Sequence, residues 1–157
     1  MSGFVATPPT AVDSQADRLV NDGWFPALAL SAMRNALRLD GTVTDARLRE
    51  AARYAMSTVN RTLMTFKAGH LAAGVATFDA VAADALDGER HLVMLYRRAV
   101  FCLVKADLTE RYRDFDSTDA GLRRGVELDP AIDEQRRNAF WAVRDILGLP
   151  RSVVELI

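Results

Sequence analysis

The sequence predicts an all-α domain, a small bundle of about four helices with an extended C-terminal tail. Three observations predict it. Apolar residues return at three- and four-residue steps through successive segments. Gly23, Gly41, Gly88 and Gly148 stand where that pattern changes. Helix-start signals, Thr42-Val-Thr-Asp45 and Asp129-Pro130, precede two of the apolar runs. At 157 residues, 50% hydrophobic and 26% charged, the chain fits one globular domain over 1–157.

Residues 1–22 carry Pro8 and Pro9 and little periodicity, and read as a flexible N-terminal arm that orders only against a partner. After Trp24-Phe25-Pro26, the positions Leu30, Met33 and Leu37 describe a short helix that starts from Pro26 and closes near Asp40-Gly41. Thr42-Val-Thr-Asp45 offers a capping hydroxyl to a second helix. Leu48, Ala52, Ala55, Val59, Leu63 and Phe66 carry it to about Lys67. Alanines crowd residues 68–86 around Gly69 and Gly74. That composition fits either a continued helix or a small-residue loop ending at Asp87-Gly88.

From Glu89 two apolar stripes run side by side. One is Leu92, Leu95, Tyr96, Ala99, Cys102, Leu103 and Ala106; the other is Val93, Val100, Val104 and Leu108. They predict a central helix to about Tyr112 with contacts on two sides. Asp107 and Arg111 are spaced to pair across one turn. A turn follows through Asp116-Ser117-Thr118-Asp119, and Asp129-Pro130 then starts or kinks a last helix. Ile132, Phe140, Val143, Ile146 and Leu147 mark its buried side, and Gly148 with Pro150 beyond ends it. Residues 152–157 mix β-branched and apolar types and read as an extended tail seeking a docking surface. No repeat of solenoid length is present.

A net charge of -1 gives the molecule no overall cationic field for nucleic acid. Of the 20 basic residues only Lys67 and Lys105 are lysines, a bias toward the planar cation suited to fixed ion pairs and interfaces. A single cysteine, Cys102, forms no internal disulfide. Residues 1–12 lack the charged start of a secretory signal, and no apolar run is long enough to span a membrane.

Catalytic and metal-binding chemistry finds little footing. On one helix, His91 and Cys102 would stand roughly 16 Å apart along the axis, too far for a dyad, and Cys102 lies on an apolar stripe as a core thiol does. One Cys with His70 and His91 cannot make a zinc site. Asp114, Asp116, Ser117, Thr118 and Asp119 resemble the start of a calcium loop, but Asp119 stands where the turn needs Gly and Gly125 where Glu should close the site. Gly69 and Gly74 have P-loop spacing, yet Val75 and Ala76 follow in place of Lys and Ser/Thr. No catalytic residue, metal or cofactor is therefore expected. The arginine groups Arg97-Arg98, Arg111 with Arg113, Arg123-Arg124 and Arg136-Arg137 all have acids nearby. They read first as a solvated, ion-paired face, and second as subunit contacts or a DNA-facing lumen.

Val43-Thr-Asp-Ala-Arg-Leu48, Tyr96-Arg-Arg-Ala-Val100, Leu108-Thr-Glu-Arg-Tyr-Arg-Asp-Phe-Asp-Ser117 and Trp141-Ala-Val-Arg-Asp-Ile-Leu-Gly-Leu-Pro-Arg-Ser-Val-Val-Glu-Leu-Ile157 together resemble the GPL-type head completion proteins of contractile-tailed phages. The likeness spans most of the chain. It implies a non-enzymatic virion protein, assembled in the host cytoplasm, that completes and stabilises the DNA-filled head. It further implies a head-to-tail connector ring of about twelve copies. The implied partners are the portal protein, other copies of the chain, a tail-proximal head-completion or tail-terminator protein, and packaged double-stranded DNA as a non-specific contact; no membrane is involved. The residues expected at the subunit or portal interface are Arg151, Val153, Val154, Glu155, Leu156 and Ile157. The rival expectation is a small helical DNA-binding regulator presenting Arg47, Arg49 and Arg53 to a groove or backbone.

Overall fold

The computed structural model describes residues 14–39, 41–115 and 119–151, with side chains over 16–39, 41–111 and 131–151. Among these residues the chain is mostly helical. Its elements are α1 (Ser14–Asp17), β1 (Arg18–Leu19), β2 (Leu28–Ala29), α2 (Leu30–Ala36), α3 (Asp45–Thr62) and α4 (Met64–Ala72). A 3-10 turn (Phe78–Ala80), β3 (Ala85–Leu86), β4 (Glu89–Arg90), α5 (His91–Phe115) and α6 (Asp119–Ile146) follow.

The core forms around α5, as its double stripe predicts. Leu95, Tyr96, Ala99, Val100, Val104 and Leu108 of α5 are buried together with Leu48, Ala51, Ala52, Ala55, Met56 and Val59 of α3 and with Ala142, Val143 and Ile146 of α6. Alanines on the facing side of α3 remove side-chain bulk where it meets α5, which favours close approach of the two helices. Both sides of α5 are used inside the chain, against α3 and against α6. Asp107 and Arg111 pair at 3.2 Å as their spacing predicts.

Part of the arm left unassigned by the sequence is built into the fold. Arg18 and Leu19 pair antiparallel with Ala29 and Leu28, and Leu19 is buried. Ala29 gives α2 no capping side chain. Asp17 caps it from a distance instead, accepting hydrogen bonds from Ser31 N and Ser31 Oγ, each at 2.7 Å. Asp22 then turns the chain, its Oδ1 accepting from Trp24 N and Phe25 N at 3.0 Å. The other oxygen meets Lys67 Nζ at 2.6 Å. Burial alone would raise the Asp22 carboxyl, but the Lys67 hydrogen bond and the two backbone N–H donors outweigh it and hold the group below its ordinary range.

A closed polar ring joins this segment to the two central helices. Tyr96 Oη donates to Asn60 Oδ1 at 2.6 Å, Asn60 Nδ2 donates to Asn21 Oδ1 at 2.8 Å, and Asn21 Nδ2 donates to Tyr96 Oη at 2.8 Å. Each of the three side chains both donates and accepts, so a deeply buried phenol keeps its hydrogen bonds. Burial also pushes the Tyr96 phenol far above its usual range. Its ring stacks on Phe25 with centroids 5.3 Å apart, and Phe78 and Trp24 complete the aromatic cluster.

The remaining elements refine the sequence reading. The short helix begins at Leu30 after a strand, not at Pro26, and ends with Arg38 in the left-handed region at φ 52. Arg38 N donates to Asn35 O and Leu39 N to Arg34 O, a Schellman motif with arginine where glycine is usual. Thr44 caps α3, accepting from Arg47 N at 3.3 Å. The predicted second helix breaks at Leu63, where Thr62 Oγ1 bonds back to Thr58 O at 2.9 Å, a contact that bends helices. It resumes as α4, which settles the first part of the Ala-rich stretch as helix. Gly74, at φ 82, closes it. Asp87 and Gly88 then turn the β3–β4 hairpin.

The last helix differs most from expectation. Asp129-Pro130 does not start it: α6 begins at Asp119 and passes through Pro130. A proline inside a helix costs ~3 kcal/mol through a lost hydrogen bond and a ring clash, which the packing of α6 along α5 offsets. Residues 119–125 are helical, so the second half of the supposed calcium loop is no loop. The turn residues 116–118 lie outside the described residues. Among those described, no three His, Cys, Asp or Glu side chains converge as metal ligands, and no helix is long and apolar enough to cross a membrane.

Candidate subunit interface

The end of α6 is closed by a second Schellman motif. Gly148, at φ 66, donates to Asp145 O at 3.1 Å and Leu149 N donates to Arg144 O at 2.9 Å. Two arginines then hold the chain beyond the helix. Arg144 Nε and Nη2 donate to Pro150 O at 2.8 and 2.6 Å. Arg151 reaches back to Asp145 through Nε at 3.1 Å and Nη2 at 2.5 Å, a bidentate pair. The Arg151 guanidinium also lies 5.5 Å from the Trp141 ring centroid, with Arg137 over the same ring at 5.2 Å. The Arg151 hydrogen bond, working against partial burial, holds the Asp145 carboxyl below its ordinary range, and the charges of His91 and Arg98 add to it. The chain therefore leaves the bundle from a fixed point with a fixed backbone direction.

A groove of about 540 Å³ lies between the end of α2, α5 and α6, which lines it with Gln135. Leu37, Met94 and Phe101 give it apolar lining, and Arg38, Arg97, Arg98 and Lys105 bring positive charge. Arg97 is neutralised by a bidentate pair with Glu89 at 2.6 and 2.7 Å, and Lys105 Nζ donates to Leu37 O at 3.3 Å. Cys102 also lines it, half-buried, with its thiol pushed up by burial against the smaller opposing effect of Arg98.

The family model for phage head completion protein (GPL) matches residues 19–157. The head completion/stabilization protein of Escherichia phage P2 is 37% identical over 155 residues, covering 99% of this chain and 90% of that protein. The chain belongs to the GPL family. It is thus a phage head-completion protein with a structural role, a virion component of a family that is not one of enzymes. No solved structure matches it.

In this head-completion protein only one residue expected at the interface, Arg151, lies among those described, and it anchors the tail to Asp145 and Trp141. Val153, Val154, Glu155, Leu156 and Ile157 lie outside the described residues. Of the three arginines weighed for DNA, Arg49 turns inward, its guanidinium donating to Arg18 O at 3.1 Å and to Ala16 O. It fastens the N-terminal segment, leaving Arg47 and Arg53 as exposed neighbours on α3. Among the described arginines of these groups, Arg97 pairs with Glu89, Arg111 with Asp107 and Arg136 with Glu110, as their acidic surroundings predict; the side chains of Arg113, Arg123 and Arg124 lie outside the described residues. Sequence reasoning missed Trp141, Arg144 and Asp145 as tail anchors. Gly148 and Pro150 marked the helix end, but which side chains fold back over it depends on geometry. It also missed the groove, whose lining comes from three elements distant in sequence.

Proposed function

We propose that this head-completion protein forms the connector between portal and tail, as a closed ring of about twelve copies that seals and stabilises the DNA-filled head. In this reading the tail, residues 152–157, reaches an adjacent subunit or the portal, and the tail-proximal protein docks on the opposite side of the ring. Packaged DNA is met without base readout, through phosphates only. The observation that carries the reading is the anchored helix end. Arg144 on Pro150 and Arg151 on Asp145 and Trp141 launch an apolar segment from a fixed position. A segment whose first residue is held loses less freedom on docking than one on a free end.

Deleting residues 152–157 tests it. The truncated protein is expected to stay folded, keeping its circular dichroism spectrum, while failing to join portal-bearing, DNA-filled heads. Electron microscopy of such heads should show density for the full chain, and none for the truncated one, between portal and tail. Unaltered incorporation of the truncated protein refutes the reading.

A further inference from the structure

The groove between α2, α5 and α6 is unexplained by the anchor described above, and its chemistry is mixed. Three apolar side chains, Leu37, Met94 and Phe101, share it with Arg38, Arg98 and Lys105. With Arg97 already neutralised by Glu89, the lining suits a short segment that is mostly apolar and carries one acid. A phosphate backbone would use the cations and leave the apolar lining wet. Residues 152–157, Ser-Val-Val-Glu-Leu-Ile, have the composition the groove asks for.

We propose that in the free protomer residues 152–157 lie in this groove of their own chain, with Val154 and Leu156 against its apolar lining and Glu155 among Arg38, Arg98 and Lys105. In an extended segment Val154 and Leu156 share one face and Glu155 takes the other, so both kinds of contact are made at once. The reach is sufficient. The tail starts at Arg151, held to Asp145 at 2.5 Å. Gln135, which lines the groove, stands ten residues before Asp145 on α6, ~15 Å along the helix axis. Six extended residues span ~20 Å, whereas Met94 to Lys105 covers ~16 Å of helix axis. This inference concerns the free protomer and stands or falls apart from the ring. If both hold, the stowed tail must leave its own groove before it can reach a neighbour, which restrains self-association until the head presents its partner surface.

Cys102 lines the groove and supplies the test. In dilute, full-length Val154→Cys, mild oxidation is expected to give an intramolecular disulfide with Cys102, seen as a faster-migrating monomer on a non-reducing gel and abolished by Cys102→Ser. Disulfide-linked dimers instead of that monomer, or no disulfide, overturn the proposal. In a second measurement on the native cysteine background, Leu156→Asp should raise the rate of maleimide modification of Cys102 roughly tenfold, the loss of ~1.4 kcal/mol of docking, with an unaltered circular dichroism spectrum and a melting temperature lowered by about 3–6 °C. An unchanged rate overturns it as well. The truncation on heads reads a different event, so either proposal can fail without the other.

Discussion

Replacing Tyr96 by Phe removes one oxygen from a ring of three side chains, and the consequence can be worked from its connections. Asn60 Oδ1 loses its donor at 2.6 Å, and Asn21 Nδ2 loses its acceptor at 2.8 Å while keeping Pro26 O at 3.0 Å. Asn60 therefore suffers most, since its oxygen faces the site the hydroxyl vacates. Leaving one partly buried acceptor unpaired costs about 1–3 kcal/mol. For a domain of this size each kcal/mol lowers the melting temperature by roughly 2–4 °C. A loss of ~2 kcal/mol should then appear as a shift of about 4–8 °C by calorimetry or circular dichroism. Asn60→Ala should lose a similar amount, and the double variant should lose clearly less than the sum, with a coupling of about 1 kcal/mol or more. A Tyr96→Phe protein that melts within about 1 °C of the parent would show that the ring contributes no net stability and refute the reasoning.

Three further outcomes are expected. Asp22 has its folded pKa below the ordinary 3.8, so its contribution is present above that value and is lost as pH falls through the lowered folded value; Asp22→Asn should flatten the acid limb of a stability-against-pH curve and lower stability at neutral pH, and an unaltered acid limb would speak against it. Arg38→Gly, at φ 52, should raise stability by up to about 1 kcal/mol in urea titration, because glycine occupies the left-handed region without a Cβ penalty. Gly148→Ala, at φ 66 with open space around its Cα, should cost about 1 kcal/mol through backbone strain alone and loosen the Arg144–Pro150 contact, seen as faster amide exchange at Leu149.

How far the fold was legible depended on whether its determinant was local. The Thr44 cap, the α5 stripes and the Asp107–Arg111 pair each depend on residues within a few positions, and the structure reproduces them. The N-terminal segment was illegible because its order comes from distant partners: Asn21 is held by Asn60 and Tyr96, and Asp22 by Lys67. Pro130 as a helix start failed for the complementary reason, since a local signal was overridden by the packing of α6 along α5. At the site, Arg151 was legible as part of the tail, whereas the Trp141–Asp145 anchor was not. Nothing in the sequence says that an arginine six residues beyond Asp145 folds back on it.

The interior of this protomer constrains how it can assemble. Although α3 and α6 pack against α5, one face of α5 stays open at the groove, with Met94, Arg98, Phe101 and Lys105. Most of the large apolar side chains left exposed among the described residues, Val20, Tyr54, Leu86 and Phe140 among them, are scattered singly as on an ordinary surface, whereas Met64 and Leu71 lie seven residues apart on α4. In the proposed ring, a segment and a groove would add specificity to such surface contacts. Heterologous closure asks each copy for one donating and one receiving surface, and an apolar tail with a mixed groove supplies such a pair. Occupation of the groove by the chain's own tail would keep the two surfaces from meeting between free copies. Assembly would then be governed by competition for one groove, with the docking partner on the filled head shifting the balance.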